Sequence, residues 1–125
     1  MLQSKKIVAF IPTTDFKNAR KFYEGVLGLR FVSDDGFALV FDANGTMLRI
    51  AKVPDLKPAQ FTILGWQVSK IKKMVSGLKA QGVKFENYGM KDQDADGVWS
   101  APGGEAKVAW FKDPDGNVLS ISQHR

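Results

Sequence analysis

Few side chains in this chain have the chemistry for catalysis or ligand capture, and two of them stand at matching places. The stretch DANGTMLRIAK (42–52) and the stretch DPDGNVLSISQ (113–123) share one build. Asp42 matches Asp113, Gly45 matches Gly116, Leu48 and Ile50 match Leu119 and Ile121, and Arg49 falls opposite Ser120. A guanidinium at such a place can pair with a carboxylate, phosphate or enolate of a ligand. Other chemistries are poorly supplied. Cysteine is absent, which removes disulfides, thiolate zinc sites and a cysteine nucleophile. His124, the single histidine, stands next to the C-terminus and reads as a surface residue. The acids of KDQDAD, Asp92, Asp94 and Asp96, read as solvating a loop, and no two residues declare themselves as general acid and base.

The elements that must position these residues form one pattern used twice. IVAFIP (7–12) is apolar and partly β-branched, as expected of a buried strand. Thr14 or Asp15 can cap a following helix, in which Phe16, Ala19, Phe22, Tyr23 and Val26 recur at helical spacing. VLGLRFV turns at Gly28 into a strand, FALVFD supplies another, and the Asn44-Gly45 turn opens TMLRIAKV. After a proline-bearing linker at 54–60 the order restarts with the strand FTILGWQV. Ser69 is placed to cap a helix carrying Ile71, Met74, Val75 and Leu78 on one side, with Gly82 at its end. VKFENYG, KVAWFKD and NVLSISQ supply three more strands. The predicted organisation is one domain over 1–125, with module one at about 5–53, the linker at 54–60 and module two at about 61–124. The polar, glycine-rich segment within 86–107 reads equally as a binding lid or a mobile loop.

A chain of 125 residues with 44% apolar residues can bury one core. No apolar run approaches the length that spans a bilayer, and the N-terminal residues lack a signal-peptide pattern, so a cytoplasmic protein without a membrane partner is expected. The net charge of +5 raises nucleic acid as a partner. Lys72, Lys73 and Lys79, however, fall on the wet side of the second helix, and no nucleic-acid motif accompanies them.

The duplicated unit, with FYEGVLGL in the first half and FKDPDGNVLSISQ closing the second, resembles the vicinal oxygen chelate superfamily, which includes glyoxalase I, bleomycin-resistance proteins and extradiol dioxygenases. The resemblance implies an α+β fold of two tandem βαβββ modules, forming a curved mixed sheet with helices outside and a ligand site on the concave side. It also implies a divalent ion held by His or Gln on the first strand of each half and by Glu on the last, with open positions for a substrate's vicinal oxygens. Carried over residue by residue, the first-strand positions fall at Val8 and Ile63 and the last-strand positions at Arg49 and Ser120. None is the expected ligand, and a cation at Arg49 repels a divalent ion. No metal and no cofactor are therefore expected.

Strand alternation then assigns faces. Met47, Arg49, Gln67, Val118, Ser120 and Ser122 are expected to face the cleft, and Leu48, Ile50, Leu64, Trp66, Val68, Leu119 and Ile121 the core. Setting Phe111 toward the helices puts Val108 and Trp110 in the cleft, joined by Phe37, Leu39 and Phe41 of the first half. Trp99, apolar in a polar loop, covers the cleft mouth or anchors the loop. The expectation is a metal-free protein that binds an apolar or aromatic small molecule, with Arg49 open to an anionic group on it, and pairs as a homodimer. A glyoxalase-like lyase or dioxygenase-like enzyme with an atypical site is the alternative.

Overall fold

The computed structural model describes residues 1–124. They form an α+β fold with two four-stranded mixed sheets, one in each of two compact units that divide between Lys57 and Pro58. The first unit runs β1 (Val8–Thr13), α1 (Phe16–Arg20), β2 (Arg30–Asp34), β3 (Ala38–Ala43) and β4 (Thr46–Lys52). Its strand order is β1-β4-β3-β2, with β1 parallel to β4 and the others antiparallel. Asp15 is the cap of α1, accepting from the Asn18 amide at 3.2 Å. From Lys21 to Val26 the helix widens into a π-helical turn, closed by the Leu27 amide on the Phe22 carbonyl. Ala19 and Tyr23 supply its buried side.

The second unit runs β5 (Thr62–Gln67), α2 (Ile71–Ala80), β6 (Trp99–Ser100), β7 (Ala106–Lys112) and β8 (Val118–His124), in the sheet order β5-β8-β7-β6. Ile71 and Val75 bury one side of α2, and Gly82, at φ 96°, follows its end. Two expectations need correction. Ser69 makes no cap; the side chain of Gln123, on β8, accepts from the Ile71 amide at 3.0 Å instead. VKFENYG is not a strand either, since only Phe85 bridges to Phe111, and the outer strand is the two-residue β6 inside the expected loop. The polar tail of that segment, Glu86 to Gly89, has no apolar alternation with which to continue the pairing.

The matched turns differ in depth. Asp42 accepts from the Gly45 amide at 2.7 Å in an exposed hairpin, where Asn44 and Gly45 both have positive φ. Asp113 is buried and accepts from the amides of Asp115 and Asn117 through Oδ1 and from Asn117 Nδ2 through Oδ2, all at 2.9 Å. Asp113→Ala leaves the fully buried Asn117 amide without its carboxylate. The expected loss is about 2–3 kcal/mol, against less than about 1 for Asp42→Ala, read as urea-midpoint shifts.

Candidate functional site

Each sheet has one face packed by its helix and one without. In the first unit Leu39 pairs with Ile50 and Phe41 with Leu48, so these four share the helix-packed face. The Phe41 ring lies 6.2 Å from Tyr23 and 5.6 Å from Phe31 and is fully buried. Leu39 and Phe41 are therefore core residues, contrary to the expected cleft facing. Phe37 precedes β3, is 81% exposed, and takes no part in a common face with them. Val40, paired with Arg49, and Asp42, paired with Met47, occupy the helix-free face instead. Val8 and Phe10 join them through the parallel pairing of β1 with β4.

Arg49 on that face is already engaged. Its Nη2 donates to Asp35 Oδ2 at 2.7 Å, while Asp35 Oδ1 accepts from the amides of Phe37 and Ala38. The guanidinium is partly covered and holds the β2–β3 hairpin against the sheet. The Arg49 hydrogen bond, helped by the two amides, holds the Asp35 carboxyl below its ordinary value. A depressed folded-state value stabilises above the unfolded one, about pH 4, and the contribution disappears as pH falls through the folded value. Asp35→Asn is expected to lower the urea midpoint above about pH 4 and to differ progressively less from the native chain below it.

The second unit gathers its aromatics on the helix-free face. Trp110 pairs with Ser120 and Val108 with Ser122, while Trp99 pairs with Val108. On the far side of β8, Gly65 pairs with Ser120 and Gln67 with Ser122. The Trp110 ring lies 5.6 Å from Tyr88 and 6.3 Å from Trp99. An aromatic wall thus adjoins a polar strip of Ser120, Ser122 and Gln67. Trp66 pairs with Ile121 on the opposite face and stacks on Phe111 at 6.5 Å. Trp99 is half-buried, with its ring beside that of Trp110. Tyr88, Gly65 and Asp35 were not among the expected site residues; an aromatic in a polar loop and a glycine inside a strand were the available signals.

The segment bearing Tyr88 and Trp99 is held largely by its own polar groups. Gln93 donates from Nε2 to the carbonyls of Glu86 and Gly97, and its Oε1 accepts from the Tyr88 amide. Asp94 accepts from the Asp96 and Val98 amides and pairs with Lys72 at 3.2 Å.

A family profile for the glyoxalase/bleomycin resistance protein/dioxygenase superfamily matches residues 6–121. The chain belongs to that superfamily. A search of curated protein sequences gives no match. Among solved structures the chain is similar to the antibiotic binding protein TnmS3 of Streptomyces sp. CB03234, with TM-score 0.74 and 21% identity over 100% of this chain and 99% of that one. It is also similar to the genomically encoded fosfomycin resistance protein FosX of Listeria monocytogenes, with TM-score 0.75 and 13% identity over 98% and 94% of the two chains. An integron cassette protein from Vibrio cholerae aligns at TM-score 0.71 and 20% identity, covering 100% of this chain and 98% of that one. At these identities the likeness concerns the fold.

The superfamily's divalent ion does not fit the side chains present. Val8 and Ile63 carry no donor, Arg49 is a cation bound to Asp35, and Ser120 offers a neutral hydroxyl. No three His, Cys, Asp or Glu side chains are grouped to hold an ion among the described residues. His124 Nε2 lies 2.9 Å from Ser122 Oγ on the exposed end of β8.

Proposed function

We propose that this superfamily member binds a small apolar or aromatic molecule directly, without a metal, on the helix-free face of its second sheet. The observation that carries the reading is Trp110, flanked by Trp99 and Tyr88 and bordered by Ser120, Ser122 and Gln67. Apolar walls with a few fixed polar groups characterise small-molecule sites. The fold shared with an antibiotic binding protein and a fosfomycin resistance protein supports binding of this kind. Met47 and Arg49, on the helix-free face of the first sheet, are proposed as ligand-binding residues of that unit taken by itself. An anionic ligand must displace Asp35 from Arg49. The exposed Phe10, Val8 and Met47 favour a homodimer, which we include.

The lyase or dioxygenase alternative requires donors that the four carried-over positions do not supply. The deciding experiment titrates the protein with nickel, zinc, manganese and iron(II), then screens aromatic compounds by thermal shift and by the Trp110 Nε1–H NMR signal. Aromatic compounds are expected to move that signal, and the metals to leave the melting temperature unchanged. One metal bound per chain with a raised melting temperature would overturn the metal-free reading.

A further inference from the structure

Glycine weakens a strand interior unless something approaches it closely. Gly65 sits inside β5, and a Cβ built there would lie 2.9 Å from Ser120 Oγ and 3.3 Å from the Ser120 carbonyl oxygen. The Ser120 hydroxyl therefore leans across the place where a β5 side chain would stand. Ser120 is only 7% exposed, yet its Oγ takes part in none of the hydrogen bonds among the described residues. Among the described residues no completely enclosed side-chain oxygen or nitrogen lacks a partner, so this unpaired hydroxyl keeps a small accessible area. A hydroxyl that keeps accessible area and has no protein partner is open to a hydrogen bond from a ligand. Trp110 flanks Ser120 on the other side, which makes one row of Gly65, Ser120 and Trp110 across three strands.

We propose that the bare Gly65 is an aperture to Ser120, through which a ligand's polar edge reaches the hydroxyl while its ring lies on Trp110. This rests on the binding reading above and narrows it. A serine hydroxyl both donates and accepts, and the row carries no charge. On β7, Lys112 of the same face is engaged with Glu86 at 3.3 Å, and the His124 ring lies 2.9 Å from the Ser122 hydroxyl. The ligand class is a flat aromatic compound with one neutral edge group, such as a phenol, ketone or amide.

The test compares 2-naphthol with naphthalene, by NMR titration, on the native chain and on Ser120→Ala and Gly65→Ala. The native chain is expected to bind 2-naphthol about tenfold more tightly than naphthalene, the worth of one hydrogen bond to a waiting hydroxyl. Both variants are expected to erase that ratio. Ser120→Ala removes a single oxygen and carries the test alone if the Gly65→Ala spectrum shows a disturbed fold. A ratio near one in the native chain, or one that survives Ser120→Ala, overturns the aperture and leaves aromatic binding standing. Failure of the native chain to bind either probe overturns both.

Discussion

Phe41→Ala is expected to destabilise the protein by about 3–5 kcal/mol, as truncating a fully buried phenylalanine does. Its ring contacts Tyr23 of the helical segment and Phe31 of β2, so the alanine leaves a cavity within the first unit's core. Met47→Ala is expected to stay within about 0.5 kcal/mol, because Met47 lies on the helix-free face and is partly exposed. Urea denaturation of both variants checks the pair. Nearly unchanged stability for Phe41→Ala, with a loss at Met47, would reverse the facing of β3 and β4.

Trp110→Ala is expected to weaken binding of a flat aromatic probe such as 2-naphthol by about 30-fold. That corresponds to roughly 2 kcal/mol for the stacking surface of one indole and its edge contacts. Trp66→Phe serves as the control, since Trp66 stacks on Phe111 on the opposite face. Its substitution should leave the affinity within about twofold. Isothermal titration of the two variants separates the cases, and equal losses would mean that the probe does not recognise the Trp110 face.

The face assignments show what is readable from sequence. In β4 and β8 the alternation is anchored by a turn of known geometry, so Arg49 and Met47 share one face of the first sheet and Ser120 and Ser122 one face of the second, as the alternation predicts. The same holds for Trp110 once Phe111 is set against the helix. Strand β3 defeats the rule because Ala38, Leu39, Val40 and Phe41 are apolar and buried on both faces, leaving no period of two to read. Phe37 adds a false cue, being apolar and at the right spacing while lying outside the strand. The Arg49–Asp35 pair joins positions fourteen residues apart, through a hairpin whose bend only the folded chain defines. Tyr88 comes to Trp110 by way of one bridge, Phe85 to Phe111, embedded in sequence that otherwise lacks strand character.

The Gln93 contacts have an evolutionary consequence. Because Gln93 binds Glu86, Tyr88 and Gly97 within its own segment, most of that loop's internal order does not depend on the strands beneath it. Its ion pairs to α2, Lys72–Asp94 and Lys79–Asp96, are exposed and contribute little. Replacements within 87–92 can therefore exchange Tyr88 for another wall, while Gln93 and the buried Val98 stay in place and Trp110, Ser120 and Gly65 keep their register. Ligand preference can drift in this lineage at small risk to folding, because residues 87–92 are largely exposed and none of them belongs to the buried core.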